Sequence, residues 1–158
     1  PKSKQFELAI RLIRLALPVW DKYADENELT YTDEVVFIKH TVDRKILCKT
    51  VEAVEEHLRL DALNVPHDNK LGELQQEFLD PIVALQDTDW ELPDPVKKTF
   101  YSTHNLLETA CGVEETIFEE DTIYVSINQS ADALESSGTM TFDEINLILI
   151  EVKKRITP

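Results

Sequence analysis

The chain has 158 residues, a formal net charge of −15 and only three glycines. That length suits one domain (1–158), which buries roughly two-thirds of its unfolded surface without metal or disulfide staples. Scarce glycine argues against an all-β design, the apolar run at 147–150 is far too short to span a bilayer, and the amphipathic N-terminal segment, broken by Arg11 and Arg14, is no signal-peptide core.

The first predicted helix covers about 4–24. Phe6, Ile10, Ile13, Leu17 and Trp20 recur at helical spacing. Ser3 is its candidate N-cap, and Pro18 is expected to kink it or end it early. A polar loop at 25–28 follows. The second helix is predicted over 33–60, capped by Thr32, with Asp33 and Glu34 suiting the positive end of the dipole. Val35, Ile38, Val42 and Ile46 form one stripe, continued by Leu47, Val51, Val54 and Leu58. The β-branched run 35–38 also suits a strand, but the downstream period favours helix.

Pro66 and its polar neighbours place a loop at 64–69. A third helix spans 70–86, with Leu71, Leu74, Phe78, Leu79, Ile82 and Leu85 inward and Pro81 expected to kink or divide it. After a loop at 87–93, Asp94 caps a fourth helix, with Pro95 in the first turn, where a missing N–H costs nothing. Gly112 is its natural stop. The fifth helix is predicted over 113–135 from Val113, Ile117, Tyr124, Ile127, Ala131 and Leu134. The competing reading is a strand at 122–128, where β-branched residues alternate. Gly138 ends this segment. Thr141 and Glu144 form a capping box that opens the sixth helix, whose inner face is Ile145, Ile148, Leu149, Val152 and Ile156. The expected fold is therefore all-α: a compact antiparallel bundle or stack of hairpins of about six helices, with a small strand near 122–128 as the alternative.

The charge is unevenly placed. Residues 1–70 have a net charge of −2, residues 71–152 a net of −16, and 99–152 contain no Lys or Arg. Such a block cannot be neutralised within itself. It repels nucleic acid, whose phosphates need basic side chains, and it speeds encounters with a basic partner by about 10 to 1000-fold at low salt. The bland reading is a solvated face that keeps the chain soluble.

Two acidic clusters sharpen the partner reading. The first is Asp87, Asp89, Trp90, Glu91 and Asp94. A tryptophan between acids in a Pro-flanked loop has the makeup of an interface anchor with a charged rim. The competing reading tucks Trp90 into the core. The second cluster is Glu114, Glu115, Glu119, Glu120 and Asp121. On a helix, Glu115 and Glu119 share one face at i, i+4 and repel, which points outward to a partner.

Catalytic signals are weak. His40, His57, His67 and His104 show neither a His-Glu-x-x-His nor a Glu-x-x-His pattern, so no metal ligand set and no cofactor are expected. His67-Asp68 resembles the pair of the HD-type metal phosphohydrolases, with His40 or His57 as the extra ligand; Pro66 puts it in a loop, where that family uses a helix. Asp87, Asp89 and Glu91 have calcium-loop spacing, but Leu92 and Lys98 stand where Gly and Glu are needed. Cys48 and Cys111 are expected as buried, reduced thiols.

In size, helix content and the acidic stretches 87–94 and 114–121, the chain resembles the immunity proteins of bacterial toxin systems. That resemblance implies a cytoplasmic, non-enzymatic protein that docks a basic partner, with no nucleic-acid or membrane role. The alternatives are a helical hydrolase using His67 and Asp68, and a subunit or scaffold whose acidity is incidental.

Overall fold

The computed structural model describes residues 2–68, 70–116 and 119–154. In chain order these form α1 (Lys2–Glu26), β1 (Thr30–Thr32), β2 (Lys39–Thr41), α2 (Ile46–Ala62), α3 (Lys70–Gln86), α4 (Asp94–Ala110), α5 (Thr122–Ser136) and α6 (Phe142–Lys154). The fold is all-α, with one small two-stranded sheet. None of these helices is long and apolar enough to cross a membrane.

Helix α4 is the central element and packs against α1, α2, α3 and α5. It lies antiparallel to α5, since Lys98 meets Asp132 at one end and Thr109 meets Thr122 at the other. The α4–α5 seam is built from small hydroxyl residues. Ser102 Oγ donates to the Ser126 carbonyl at 2.6 Å, and Ser126 Oγ donates back to the Ser102 carbonyl at 2.8 Å. Short side chains bring the two backbones close, and each hydroxyl finds a carbonyl, so burial leaves no polar group unpaired.

Pro18 does not end α1. Its missing N–H deprives the Arg14 carbonyl of a helical donor, but both residues are exposed, so water replaces the bond. On the opposite face Leu17 and Trp20 are buried, and Trp20 Nε1 donates to the Arg44 carbonyl at 2.8 Å. That burial holds the helix through the proline. Pro81 likewise sits inside an unbroken α3.

The helix predicted over 33–60 is the largest correction. Residues 30–41 instead form an antiparallel hairpin, with Tyr31 opposite His40, and α2 begins only at Ile46. Thr32 caps nothing; it ends β1. The cause is local. The Asp33 carboxylate accepts from the Val35 and Val36 amides at 2.8 and 3.0 Å, an Asx turn that competes with helix. Phe37 then takes a positive φ of 57°, and the Asp33 amide closes the turn onto the Ile38 carbonyl at 3.0 Å. The expected apolar stripe fails here: Val35 and Phe37 are 85% and 82% exposed. From Ile46 onward the stripe is real, with Leu47, Val51 and Val54 buried.

The fifth helix is shorter than predicted. The described residues 113–116 and 119–121 are not helical; a bridge joins Glu115 to Asp121, and Glu119 has a positive φ of 60°. Asp121 caps α5 by accepting from the Ile123 amide at 3.1 Å. The strand alternative at 122–128 also fails, because Ile123, Ser126, Ile127 and Ser130 are buried together at helical spacing. Val113 and Tyr124, expected inside, are exposed; Ile117 lies outside the described residues. Around α4, Pro93 is the N-cap where Asp94 was predicted, and Gly112 follows the helix with φ +93°. Thr141 accepts from the Glu144 amide at 3.2 Å, which is the first half of the capping box. Ile156 lies outside the described residues. Cys48 is exposed, against the expectation of two buried thiols, and Cys111 is half-buried; both are free.

Trp90 is 5% exposed. It stacks on Tyr31 at 5.6 Å and meets Phe100 edge-on at 5.6 Å and Trp20 edge-on at 6.5 Å. Trp90→Ala is therefore expected to cost about 3–5 kcal/mol of stability, as deletion of a large core aromatic does. Denaturant unfolding measures this; a loss within error of zero would mean that Trp90 is not a core residue.

Candidate functional site

Three regions hold the chemistry, and α2 and α4 set their spacing. The first is a cleft between the hairpin and α3, with a volume of about 260 Å³. Tyr31 and His40, stacked at 5.1 Å, form its aromatic wall, and Asp43, Glu77 and Asp80 line it with carboxylates. Asp43 pairs with Lys49, and that contact, with the Lys45 amide, holds its carboxyl below the usual range. The Tyr31 phenol is pushed up, first by burial and then by Asp80, Asp33 and Asp89. Those three carboxylates come from α3, the hairpin and the 87–93 loop, so three separate segments contribute to the negative field at the Tyr31 hydroxyl. The tip of the same hairpin carries the exposed apolar residues Val35, Val36, Phe37 and Ile38.

The first acidic cluster acts on Tyr31 of this cleft through the charge of Asp89. Asp87, Glu91 and Asp94 are exposed, and Asp89 is half-buried. Trp90 at their centre points inward, so the acids remain at the surface and the aromatic anchor does not. Among these acids, Asp94 pairs with Lys98 at 3.0 Å.

The second cluster lies at the other end of α4. The 17 residues of that helix separate the two clusters by about 25 Å. Glu114, Glu115, Glu119, Glu120 and Asp121 are exposed, and Glu114 meets Lys2 at 3.4 Å. Glu115 and Glu119 do not share a helix face, because neither residue is helical. Asp121 already serves as the cap of α5. The structure thus does not unite the two predicted clusters into one patch.

The third region fits neither a His-Glu-x-x-His nor a Glu-x-x-His pattern. His57, Asp61 and His67 bring one donor atom each to within 4.8 Å of one another. His57 Nδ1 and His67 Nε2 are 2.9 Å apart, and Asp61 Oδ1 is 3.5 Å from His67 Nε2. His57 and Asp61 lie at i, i+4 on α2, which stacks them on one face. The turn after α2, with Asn64 at φ +52°, carries His67 back over that face. His57 and His67 open onto a cavity of about 520 Å³ also lined by Glu52, Lys49 and Lys70. Asp68 lines the cavity but does not belong to the three-donor group, and His40 sits apart on β2. The predicted His67-Asp68 pair is therefore not brought together as ligands. The legible signal was a His and an Asp four apart on a helix, with a His just beyond its end.

No activated thiol accompanies these groups. Burial, with help from Glu108, pushes Cys111 up to about 11, and burial also raises Cys48, next to Glu52. No family model, curated protein or solved structure matches the chain.

The fourth histidine, His104, packs on Phe78 at 5.3 Å and lies 3.5 Å from Glu108. Burial depresses its pKa below the ordinary 6.5, and Glu108 opposes this in part. The unfolded chain therefore binds a proton here at higher pH than the folded chain. Stability from this group is full above pH 6.5 and falls as pH drops from there toward the depressed value. Replacing His104 with Gln is expected to flatten that part of the stability–pH curve, as followed by urea unfolding at stepped pH. An unchanged slope would place the titration elsewhere.

Proposed function

We propose that this chain is a non-enzymatic, acidic protein-binding module that docks a basic protein, as an immunity- or inhibitor-type protein would. The observation that carries this reading is the cleft beneath the hairpin. Glu77 and Asp80 line it beside the stacked rings of Tyr31 and His40, and the apolar tip 35–38 of the same hairpin is exposed. Carboxylates beside an aromatic face suit a guanidinium or ammonium, through a charge-assisted hydrogen bond and a cation–π contact. The tip supplies what acids alone lack. An exposed Phe37 next to Val35 is desolvated on docking, and such contacts dominate affinity, whereas rim charges mainly set the on-rate.

The two predicted clusters then divide in role. Asp87, Asp89, Glu91 and Asp94 extend the field around the cleft. Glu114, Glu115, Glu119, Glu120 and Asp121, about 25 Å away along α4, lie beyond a Debye length of about 8 Å and add only weakly to that field. In this reading the chain is cytoplasmic and its partner is a toxin with a basic face.

The product of the adjacent reading frame is the first partner to test, by surface plasmon resonance at low and at physiological salt. Asp80→Lys and Asp89→Lys are expected to slow association and to flatten its salt dependence. Phe37→Ala is expected to raise the off-rate at a cost of about 2 kcal/mol or more. The pair Glu115→Lys and Glu119→Lys is expected to change little. If all variants bind like the native chain, or the second cluster alone matters, the cleft is not the docking surface.

A further inference from the structure

We propose that His57, Asp61 and His67 bind a divalent transition-metal ion of the zinc class. The argument starts from where the protons sit. His67 Nδ1 is 2.9 Å from the Val65 carbonyl, which can only accept, so that nitrogen carries the ring proton and Nε2 presents a lone pair. His57 Nδ1 faces that lone pair at 2.9 Å, and Asp61 Oδ1 stands 3.5 Å from His67 Nε2. In the His57 tautomer with its proton on Nε2, beside Asp61 Oδ2 at 3.2 Å, three lone pairs converge, an arrangement that a cation among them stabilises.

The spacing fits a metal. Two donors each about 2.0–2.1 Å from one zinc ion stand about 2.9–3.4 Å apart for bond angles between square and tetrahedral. The two nitrogens at 2.9 Å meet this and Asp61 Oδ1 at 3.5 Å from His67 nearly does, while the full group, within 4.8 Å, closes on an ion by a small rotation of the exposed Asp61 side chain. The Val65 carbonyl behind His67 is the kind of outer support that a metal-bound imidazole uses to fix its tautomer and direction. Two imidazoles and one carboxylate select borderline ions such as zinc or cobalt over calcium or magnesium, which want six or more oxygens. Three protein donors leave a fourth position open toward the cavity of about 520 Å³. Because two ligands come from α2 and one from the segment after it, the ion also ties that connection to the helix.

The test uses the untagged full chain. Zinc is titrated by calorimetry, and Co2+ is added as a visible-absorption probe of tetrahedral coordination. The expected result is saturable one-to-one binding, a Co2+ spectrum of the tetrahedral type that zinc erases, and no competition from excess Mg2+. His67→Ala and Asp61→Asn are each expected to weaken binding by more than about tenfold. Asp68→Asn and His40→Ala, outside the donor group, are expected to leave it intact. Zinc should raise the melting temperature of the native chain and not that of His67→Ala, since only a ligand bound to the folded form stabilises it. His67 sits in a connection outside the helices, so its variant keeps the test usable even if His57→Ala fails to fold. Absence of binding by the native chain, or one-to-one binding that survives His67→Ala, would overturn the proposal and leave a shared proton as the positive charge between the two rings.

Discussion

The indole of Trp20 is the contact on which the other elements depend. It is fully buried in α1, donates to the Arg44 carbonyl just before α2, and touches Trp90 and Phe100. Through Trp90 the same cluster reaches Tyr31 of the hairpin, and through Phe100 it reaches Phe78 of α3. Five segments distant in sequence are thus fixed against one another by a single aromatic knot. Its polar edge is satisfied by one hydrogen bond, so burial carries no desolvation debt. The hairpin is too small to be stable alone, and it is this stacking that holds it. The acidic cleft beneath the hairpin therefore exists only because Tyr31 is anchored from behind by Trp90.

The parts of the fold that were legible in sequence are those where period and terminus agree. Helix α3 has both ends where its period implies, α4 begins one residue before the start its Asp94 cap implied but stops ahead of Gly112, and α6 opens just after Thr141, because Pro95, Gly112 and Thr141 act on the adjacent backbone. The misreadings occur where a local hydrogen bond outweighs an apolar period. Asp33 bonds two amides ahead of it and turns the chain, so Val35 and Ile38 match a helical stripe that has no helix under it. Asp121 starts a helix eight residues later than the apolar spacing from Val113 implied. The reciprocal Ser102–Ser126 bonds were not legible either, because a period scored on apolar residues cannot see small hydroxyls that pack as core.

The functional groups divide in the same way. The acidity of 71–152 was plain from composition, but its arrangement was not. Two clusters close in sequence stand at opposite ends of α4, and the carboxylates that act together on the Tyr31 hydroxyl, Asp33, Asp80 and Asp89, come from three segments. Trp90 reads as an interface anchor in its loop, yet it is turned inward by a core that only the tertiary fold supplies. The metal-type donor group was hidden because the motifs sought place two histidines or a Glu and a His on a helix. Here the carboxylate is an Asp at i+4, and the second imidazole arrives from beyond the helix end.

Helix α2 joins the two candidate sites. Ile46, its first residue, lines the cleft, and His57, eleven residues on, carries the donor group. At 1.5 Å per residue that is about 17 Å, roughly twice the Debye length at physiological salt. Direct Coulomb coupling between a bound cation and a basic side chain in the cleft is therefore screened wherever solvent lies between them. A mechanical route remains. Lys49 lines the metal-side cavity and also pairs with Asp43, which lines the cleft, so one side chain touches both regions. A shift of α2 that moves Lys49 changes the charge left on Asp43, and with it the attraction the cleft offers to a cation.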